Sequence, residues 1–305
     1  MEKAADIMQD DLIMLALPLF LLAVLAESVY SARRNAGWYE RQDFLGSMGV
    51  MLITVVVDIL PKLLGITAMF ALYEISPLKG VFGRQWWSWL LLFLLDDCLY
   101  YWFHRANHEI RLMWAGHVNH HSSEYMNYGT ALRQGVGERI YKYFFWLPLP
   151  LLGFEPAMVI TMMSISLFYQ FWIHTRAIGR LHPLIELVFN TPSHHRVHHA
   201  SNIRYLDCNH GGTLIVWDRL FGTFSEETDR DPVVYGLTTN IQTFNPIQIV
   251  LHEYRQMLRD IRSATRWRDK LRYLGLAPGW HHDGPDKRAR TLRRQAGIEL
   301  GSAPG

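Results

Sequence analysis

Residues 86–109, WWSWLLLFLLDDCLYYWFHRANHE, join a strongly apolar run to two histidines spaced four positions apart. The apolar part, residues 86–103, is about as long as a helix needs to be to cross the hydrocarbon core of a membrane. If the helix continues, His104 and His108 lie one turn apart on the same face. The stretch therefore predicts a membrane-spanning helix that ends in a pair of imidazoles.

Three further apolar runs flank this one, at residues 12–29, 47–73 and 143–173. Residues 47–73 contain Asp58 and Pro61, which predicts a kinked or tilted helix with its polar groups turned toward the interior of a bundle. Residues 143–173 are too long for one ordinary span and contain several prolines, so a hairpin, or a re-entrant piece followed by a span, fits them better. Only 19% of the residues are charged, which favours about four membrane spans over the core of a large soluble protein.

The charges near the first run predict the orientation. Arg33, Arg34 and Arg41 follow it, whereas Asp6 and Asp10 precede it. The positive-inside rule then places residues 30–46 in the cytoplasm. By counting spans, every histidine motif is expected at the cytoplasmic face.

The histidines form three motifs. Of the 15 in the chain, 12 fall between His104 and His210. The first motif is H-x-x-x-H at 104–108, and the other two are H-x-x-H-H at 117–121 and 195–199, with His194 just before the last. Two accidental H-x-x-H-H matches have odds below about one in a thousand, so histidines without a common role are a poor explanation.

Neutral imidazole suits iron, zinc, copper and nickel. The eight motif histidines are more than one ion can use, so two ions are expected. Spacing alone leaves iron and zinc open, although oxygen chemistry on an alkyl chain favours iron because zinc has no redox cycle. The predicted fold is an all-α polytopic bundle, one of its spans a hairpin or re-entrant, with a cytoplasmic helical cap that holds a two-metal histidine site.

Asp97 is a candidate to orient a ligand. It shares one helical stripe with Tyr101, His104 and His108, and a carboxylate at membrane depth is functional by default. It could accept the second N–H of a metal-bound histidine; a snorkelling or water-bonded aspartate is the plainer alternative. Asp96 lies about 100° away around the helix and is expected to have no role in the site.

The chain beyond about residue 190 is soluble in character. It contains a strand-like stretch at 212–217 and a predicted amphipathic helix at 246–262. Residues 1–282 are expected to form a single domain, with its histidine core at about 90–225. Residues 283–305 read as a basic, disordered tail.

These motifs resemble the fatty acid hydroxylase and sterol desaturase superfamily. The matching stretches are DDCLYYWFHRANHE (96–109), MWAGHVNHHSSE (113–124), TALRQ (130–134), YQFWIHT (169–175), NTPSHHRVHHA (190–200) and IVWDRLFGTF (215–224). Two later stretches, VVYGLTTNIQTFNP (233–246) and APGW (277–280), favour the alkylglycerol monooxygenase branch over sterol desaturases. The resemblance covers about residues 40–280.

The resemblance implies metal ligands at His104, His108, His117, His120, His121, His195, His198 and His199. It adds His174 as a ninth ligand, with a polar residue that caps the span as the alternative. It also adds Glu109 as a residue beside the ligands, with a solvated surface role as the alternative. His210 departs from the family's tyrosine, either as a neutral substitution, which we favour, or as an extra ligand. His182, His252, His281 and His282 are expected at the surface.

The activity that the resemblance implies is O2-dependent hydroxylation of a lipid by two iron ions. In the alkylglycerol monooxygenase branch the oxidised carbon lies beside an ether oxygen. The electron donor is left open between tetrahydrobiopterin, a ferredoxin and a cytochrome, and the other possible reactions are sterol C-4 or C-5 oxidation and fatty-acyl hydroxylation. A non-catalytic metal- or lipid-binding protein is the third hypothesis. Arg133 and Arg196 could bind a lipid phosphate or a redox partner, or brace the helices. A nucleic-acid partner is not expected, because the net charge is only +2.

Overall fold

The computed structural model describes residues 12–298 and residue 300. Within these residues the regular structure is helical, and the only β-pairing consists of isolated bridges. The all-α prediction is therefore confirmed. The acidic residues before residue 12, on which the predicted orientation partly depends, lie outside the described residues.

Three long helices begin the fold: α1 (Leu12–Arg33), α2 (Arg41–Ile75) and α3 (Trp86–Glu109). Among the described residues, two helical segments, Ala16–Arg33 and Arg41–Ile75, are long and apolar enough to cross a membrane. Leucines such as Leu22 and Leu60 are exposed on these helices, as expected for a face in contact with lipid. The total number of spans stays a prediction.

Polar groups within α2 are turned inward, as predicted. Asp58 is buried and forms an ion pair with Arg139. The helix continues through Pro61. Gly65 lets Tyr143 approach closely, because a Cβ at residue 65 would lie 2.2 Å from the Tyr143 ring.

Five helices follow: α4 (Arg111–His121), α5 (Tyr128–Ala131), α6 (Arg139–Trp146), α7 (Pro148–Leu151) and α8 (Pro156–Trp172). The run at 143–173 is thus broken between Leu151 and Pro156, as the prolines predict. Buried apolar side chains from α2, α3, α6 and α8 share one core, which includes Met69, Leu92, Trp146 and Met158.

Three short helices come next: α9 (Pro183–Val188), α10 (Pro192–His198) and α11 (Val216–Phe221). The predicted strand at 212–217 is wrong. Its apolar alternation ends in α11, and Leu214 forms only an isolated bridge with Phe189. Asp97 accepts hydrogen bonds from the backbone N–H groups of Thr213 and Leu214, which therefore do not pair with a strand.

The last described helices are α12 (Pro246–Ser263), α13 (Trp267–Gly275) and α14 (Ala289–Gln295). The amphipathic helix predicted at 246–262 is confirmed. The prediction of a wholly disordered tail needs correction, because α14 lies within residues 283–305. Arg288, at the N-cap of α14, pairs with Asp286, and Arg293 donates to the carbonyl of Leu206.

Candidate metal centre

Nine buried histidines converge in two groups, which together contain every histidine predicted as a ligand. Within each group the candidate ligand nitrogens lie within 4.8 Å of one another. The first group is His104, His108, His117, His121 and His198, and the second is His120, His174, His195 and His199.

Helical spacing divides each H-x-x-H-H motif between the two groups. On α4, His117 and His121 are about 40° apart around the axis and join the first group, whereas His120 points to the second. At α10 the division is reversed, since His195 and His199 join the second group and His198 joins the first. The two motifs therefore interlock, and each links both groups.

Hydrogen bonds to backbone carbonyls fix the outward nitrogen of four histidines. The Nδ1 atoms of His104, His120, His174 and His198 lie 2.6–2.9 Å from the carbonyl oxygens of His210, Arg133, Gln170 and Cys208, respectively. A carbonyl can only accept, so each Nδ1 carries the hydrogen and each Nε2 keeps a lone pair. These lone pairs are available to bind a metal ion.

The inward nitrogens fit a metal ion. Five pairs of Nε2 atoms approach to 2.8–3.2 Å, among them His104 with His117 and His174 with His195. The Nε2 atoms of His108 and His198 are buried without a partner among the described residues. Lone pairs that face each other repel unless a cation lies between them, and unpaired buried nitrogens are costly.

Three histidines of the second group have lowered pKa values, which favour the neutral form that binds metals. Burial lowers the pKa of His174 to about 4. Burial among other imidazoles lowers the pKa values of His120 and His199 well below their ordinary value. Neutral imidazole binds divalent transition metals, so no proton has to be displaced from these rings near pH 7.

Two carboxylates bond to outer ring nitrogens of histidines in the first group, and neither carboxylate is predicted from the sequence. Asp207 Oδ1 lies 3.2 Å from Nδ1 of His108, and Glu138 accepts a short hydrogen bond from Nδ1 of His117. A carboxylate behind a metal-binding histidine fixes its orientation and raises its basicity. These partners are 99 and 21 residues from their histidines, so no local spacing could reveal them.

A single loop, residues 207–214, supports three ligands of the first group. Besides the Asp207 carboxylate, it supplies the Cys208 and His210 carbonyls. Asp207 and Asn209 adopt left-handed backbone conformations, with φ of 51° and 59°, which Asp and Asn tolerate better than most residues. The loop therefore requires external support.

Two buried carboxylates provide that support. Asp218 accepts the N–H groups of His210 and Gly211, each at 2.7 Å. Asp97 accepts from Thr213 N at 2.7 Å, Leu214 N at 3.0 Å and Trp217 Nε1 at 2.9 Å. The predicted bond from a histidine to Asp97 is therefore absent among the described residues. Asp97 supports the histidines indirectly. Its oxygens accept hydrogen bonds from the loop at 207–214, and that loop orients His104 and His198.

The other residues predicted to have a role at the site, Glu109, Arg133 and Arg196, lie outside the two histidine groups. Glu109 is half exposed and forms an ion pair with Arg105 at 2.8 Å. It therefore has the surface role that was the alternative to a position beside the ligands. Arg133 is buried on Asp43, Ser47 and Ser122.

Arg196 forms a two-pronged pair with Glu227. Neither Arg133 nor Arg196 is therefore free to bind a phosphate, and both brace helices.

Histidines outside the two groups have varied surroundings. His210 is completely buried, its ring centroid lies 5.0 Å from that of His108, and neither ring nitrogen has a partner among the described residues. It belongs to neither group. His182 and His281 are exposed as predicted, whereas His252 and His282 are only partly exposed.

His194 is buried against Glu186, at 2.9 Å. His252 Nδ1 lies 2.7 Å from the Ile249 carbonyl oxygen. His282 Nδ1 lies 2.7 Å from the Tyr273 hydroxyl.

Two clusters of neutral imidazoles on helix ends, beside long apolar helices, define a class of membrane-associated enzyme with a histidine-bound metal site. Residues 89–223 match the fatty acid hydroxylase family model, so the chain contains a fatty acid hydroxylase domain. The superfamily recognised from the histidine motifs is thereby confirmed.

Curated relatives extend the similarity beyond this domain. The chain is 38% identical to the alkylglycerol monooxygenase of Danio rerio over 266 residues, which are 87% of this chain and 59% of the relative. It is 38% identical to that of Homo sapiens over 284 residues, 91% of this chain and 61% of the relative. The Xenopus tropicalis enzyme is 44% identical over 201 residues, 66% of this chain and 44% of the relative. The chain thus spans at most about 60% of the length of these relatives, and no solved structure matches it significantly.

Proposed function

We propose that the protein is an O2-dependent lipid monooxygenase that hydroxylates the carbon beside the ether oxygen of alkylglycerol-type lipids. The observation that supports this most directly is the pair of histidine groups, in which nine inward-facing imidazoles are ready to bind two metal ions. The relatives named alkylglycerol monooxygenase support the choice of substrate. The same site could also serve a fatty-acyl hydroxylase or a sterol oxidase.

The proposed cofactor is a pair of iron ions, one in each group. When bound, iron supplies the redox chemistry that inserts one oxygen atom of O2 into an unactivated C–H bond, with two electrons and two protons from outside reducing the other atom to water. The product beside an ether oxygen is a hemiacetal, which breaks its C–O bond to give an aldehyde and a free glycerol hydroxyl.

The protein's own residues have three tasks in this scheme. The carbonyls and the carboxylates of Asp207 and Glu138 keep each ligand nitrogen in place. Burial of the nine histidines keeps bulk water away from the reacting carbon. Helices α1 and α2 expose leucine and valine along their length, so a lipid chain can reach the site from the bilayer side.

We also propose about four membrane spans with the metal centre at the cytoplasmic face. Two apolar helices support the membrane location. Arg33, Arg34 and Arg41 border the loop between α1 and α2 and support its cytoplasmic placement. Helix α3 would then place His104 and His108 at that same face.

The proposal is tested with iron-loaded protein in lipid nanodiscs under 18O2, with a chemical reductant. We expect a long-chain alkylglycerol to release the corresponding aldehyde, and the matched acylglycerol, which has no ether oxygen, to release none. The His195→Ala variant, which lacks one imidazole of the second group, should be inactive.

If the iron-loaded protein released no aldehyde from the alkylglycerol, the ether-lipid assignment would be refuted. If a fatty-acyl lipid or a sterol gained 18O instead, the alternative use of the site would replace it. If no lipid was oxidised although two ions were bound, the chain would be a binding protein.

A further inference from the structure

Helix α12 separates its charges by sign. Glu253 and Asp260 point inward, where both bind the guanidinium of Arg111 at 2.8 and 2.6 Å. Arg255, Arg259 and Arg262 are exposed, and their spacing of four and then three residues places them on one face of the helix. We call these three arginines the basic face.

The acids on this helix do not neutralise the basic face. Glu253 and Asp260 are each only 15% exposed and are already committed to Arg111. Within the part of the chain that the structure describes, the arginines of the basic face make no ion pair. The positive charge continues along the chain into Arg266, Arg268 and Lys270, all exposed. An exposed array of unpaired cations attracts an anionic partner and steers its approach.

The opposite side of α12 packs against the helix that bears the ligands. Tyr254, next to Arg255, donates to the Val136 carbonyl at 3.2 Å. A Cβ built on Gly116 would lie 3.3 Å from the Tyr254 hydroxyl, and Gly116 immediately precedes the ligand His117. The basic face is therefore on the outer side of a helix that also contacts the residue preceding His117.

We propose that the basic face is the docking site of an acidic electron-transfer protein. The inference rests on the proposed function, because O2-dependent hydroxylation needs two external electrons. An acidic redox protein fits the charge of the basic face, and the contact between α12 and the helix that bears His117 and His121 places that protein on the same side of the molecule as the first histidine group.

A bilayer surface fits this face less well. Helices that lie in a membrane insert a broad apolar side. The apolar side of α12, with Ile249, Val250 and Met257, is buried inside the protein. The exposed Trp267 and Leu271 of α13 supply the small apolar contact that a transient protein interface uses.

The test uses full-length protein in nanodiscs of zwitterionic lipid, with an acidic plant-type [2Fe–2S] ferredoxin as the probe. Binding is measured with oxidised ferredoxin and zinc-loaded protein, so the readout does not depend on any oxidation reaction. Electron transfer is measured separately, by stopped flow, from reduced ferredoxin to iron-loaded protein. Photoreduced 5-deazariboflavin, an uncharged reductant, serves as the reference donor.

The Arg255→Glu/Arg259→Glu/Arg262→Glu variant should bind ferredoxin at least tenfold more weakly at low salt. The difference from wild type should shrink as ionic strength rises, because salt screens exposed charges. Reduction by deazariboflavin should not change. The matched variant with lysine at the same three positions should stay within twofold of wild type, as should Arg176→Glu/Arg180→Glu on another exposed segment.

Equal ferredoxin binding and electron transfer in wild type and the glutamate variant would overturn the proposal. So would a variant that lost only its attachment to phosphatidylserine vesicles, since the partner would then be a membrane. Ferredoxin binding that depends on the basic face, together with a complete lack of lipid oxidation, would leave the docking site standing and refute the proposed function.

Discussion

Replacing Asp97 with asparagine tests whether the loop at 207–214 is held by that carboxylate. The carboxylate accepts three hydrogen bonds, one on Oδ1 and two on Oδ2. Asparagine has only one oxygen that can accept these bonds. Its NH2 group replaces the other oxygen and faces at least one N–H donor, so that bond is lost. Hydrogen bonds to a charged group contribute about 1.5–3 kcal/mol each. The substitution should therefore lower the free energy of unfolding by about 2–4 kcal/mol, even with the amide in its better orientation.

The loop orients His104 and His198, so the variant should also lose metal from the first group and retain it in the second. The assay is thermal unfolding in detergent, followed by circular dichroism, together with metal content by mass spectrometry. Glu109→Gln is the matched control, because Glu109 lies in the same helix and pairs with Arg105 only at the surface; such pairs contribute about 0–1 kcal/mol. An Asp97→Asn protein as stable and as metal-rich as the control would refute the reasoning.

Four further substitutions test other parts of the site. Asp207→Asn and Glu138→Gln should each weaken metal binding by about 10–100-fold, which competition with a chelator measures. If both variants bound metal with wild-type affinity, these carboxylates would not support their histidines. Gly116→Ala should destabilise the fold by about 1–3 kcal/mol, because its Cβ would lie 2.9 Å from the Tyr141 hydroxyl, and an unchanged melting temperature would contradict that packing. His210→Phe should retain two ions per chain, since His210 belongs to neither group, whereas loss of an ion would identify it as a further ligand.

The convergence of the candidate ligands could be predicted in part from sequence, because helical spacing determines which imidazoles of one helix share a face. The H-x-x-H-H motifs at 117–121 and 195–199 needed only the geometry of an α-helix. Helical spacing turns one imidazole of each motif away from the other two, whereas the way α4 and α10 face each other, a tertiary property, determines which imidazoles of the two motifs meet. His174, which lies just beyond the end of α8, is predicted through family resemblance only.

The residues that orient the ligands could not be predicted in this way. Asp97 lies on the stripe of His104 and His108, yet its carboxylate bonds to a loop more than a hundred residues away. Asp207 and Glu138 make the contact that was assigned to Asp97. The strand predicted at 212–217 is wrong for the same reason. The apolar pattern is a local property, whereas the hydrogen bonds from the backbone of this segment to Asp97 join distant parts of the chain.

The most direct test of the two-group metal centre is the metal content of protein reconstituted anaerobically with ferrous iron. Wild type should bind two iron ions per chain. His108→Ala, in the first group, and His174→Ala, in the second, should each leave one ion bound. A wild-type protein that binds one ion or none, or variants that both retain two, would contradict the arrangement.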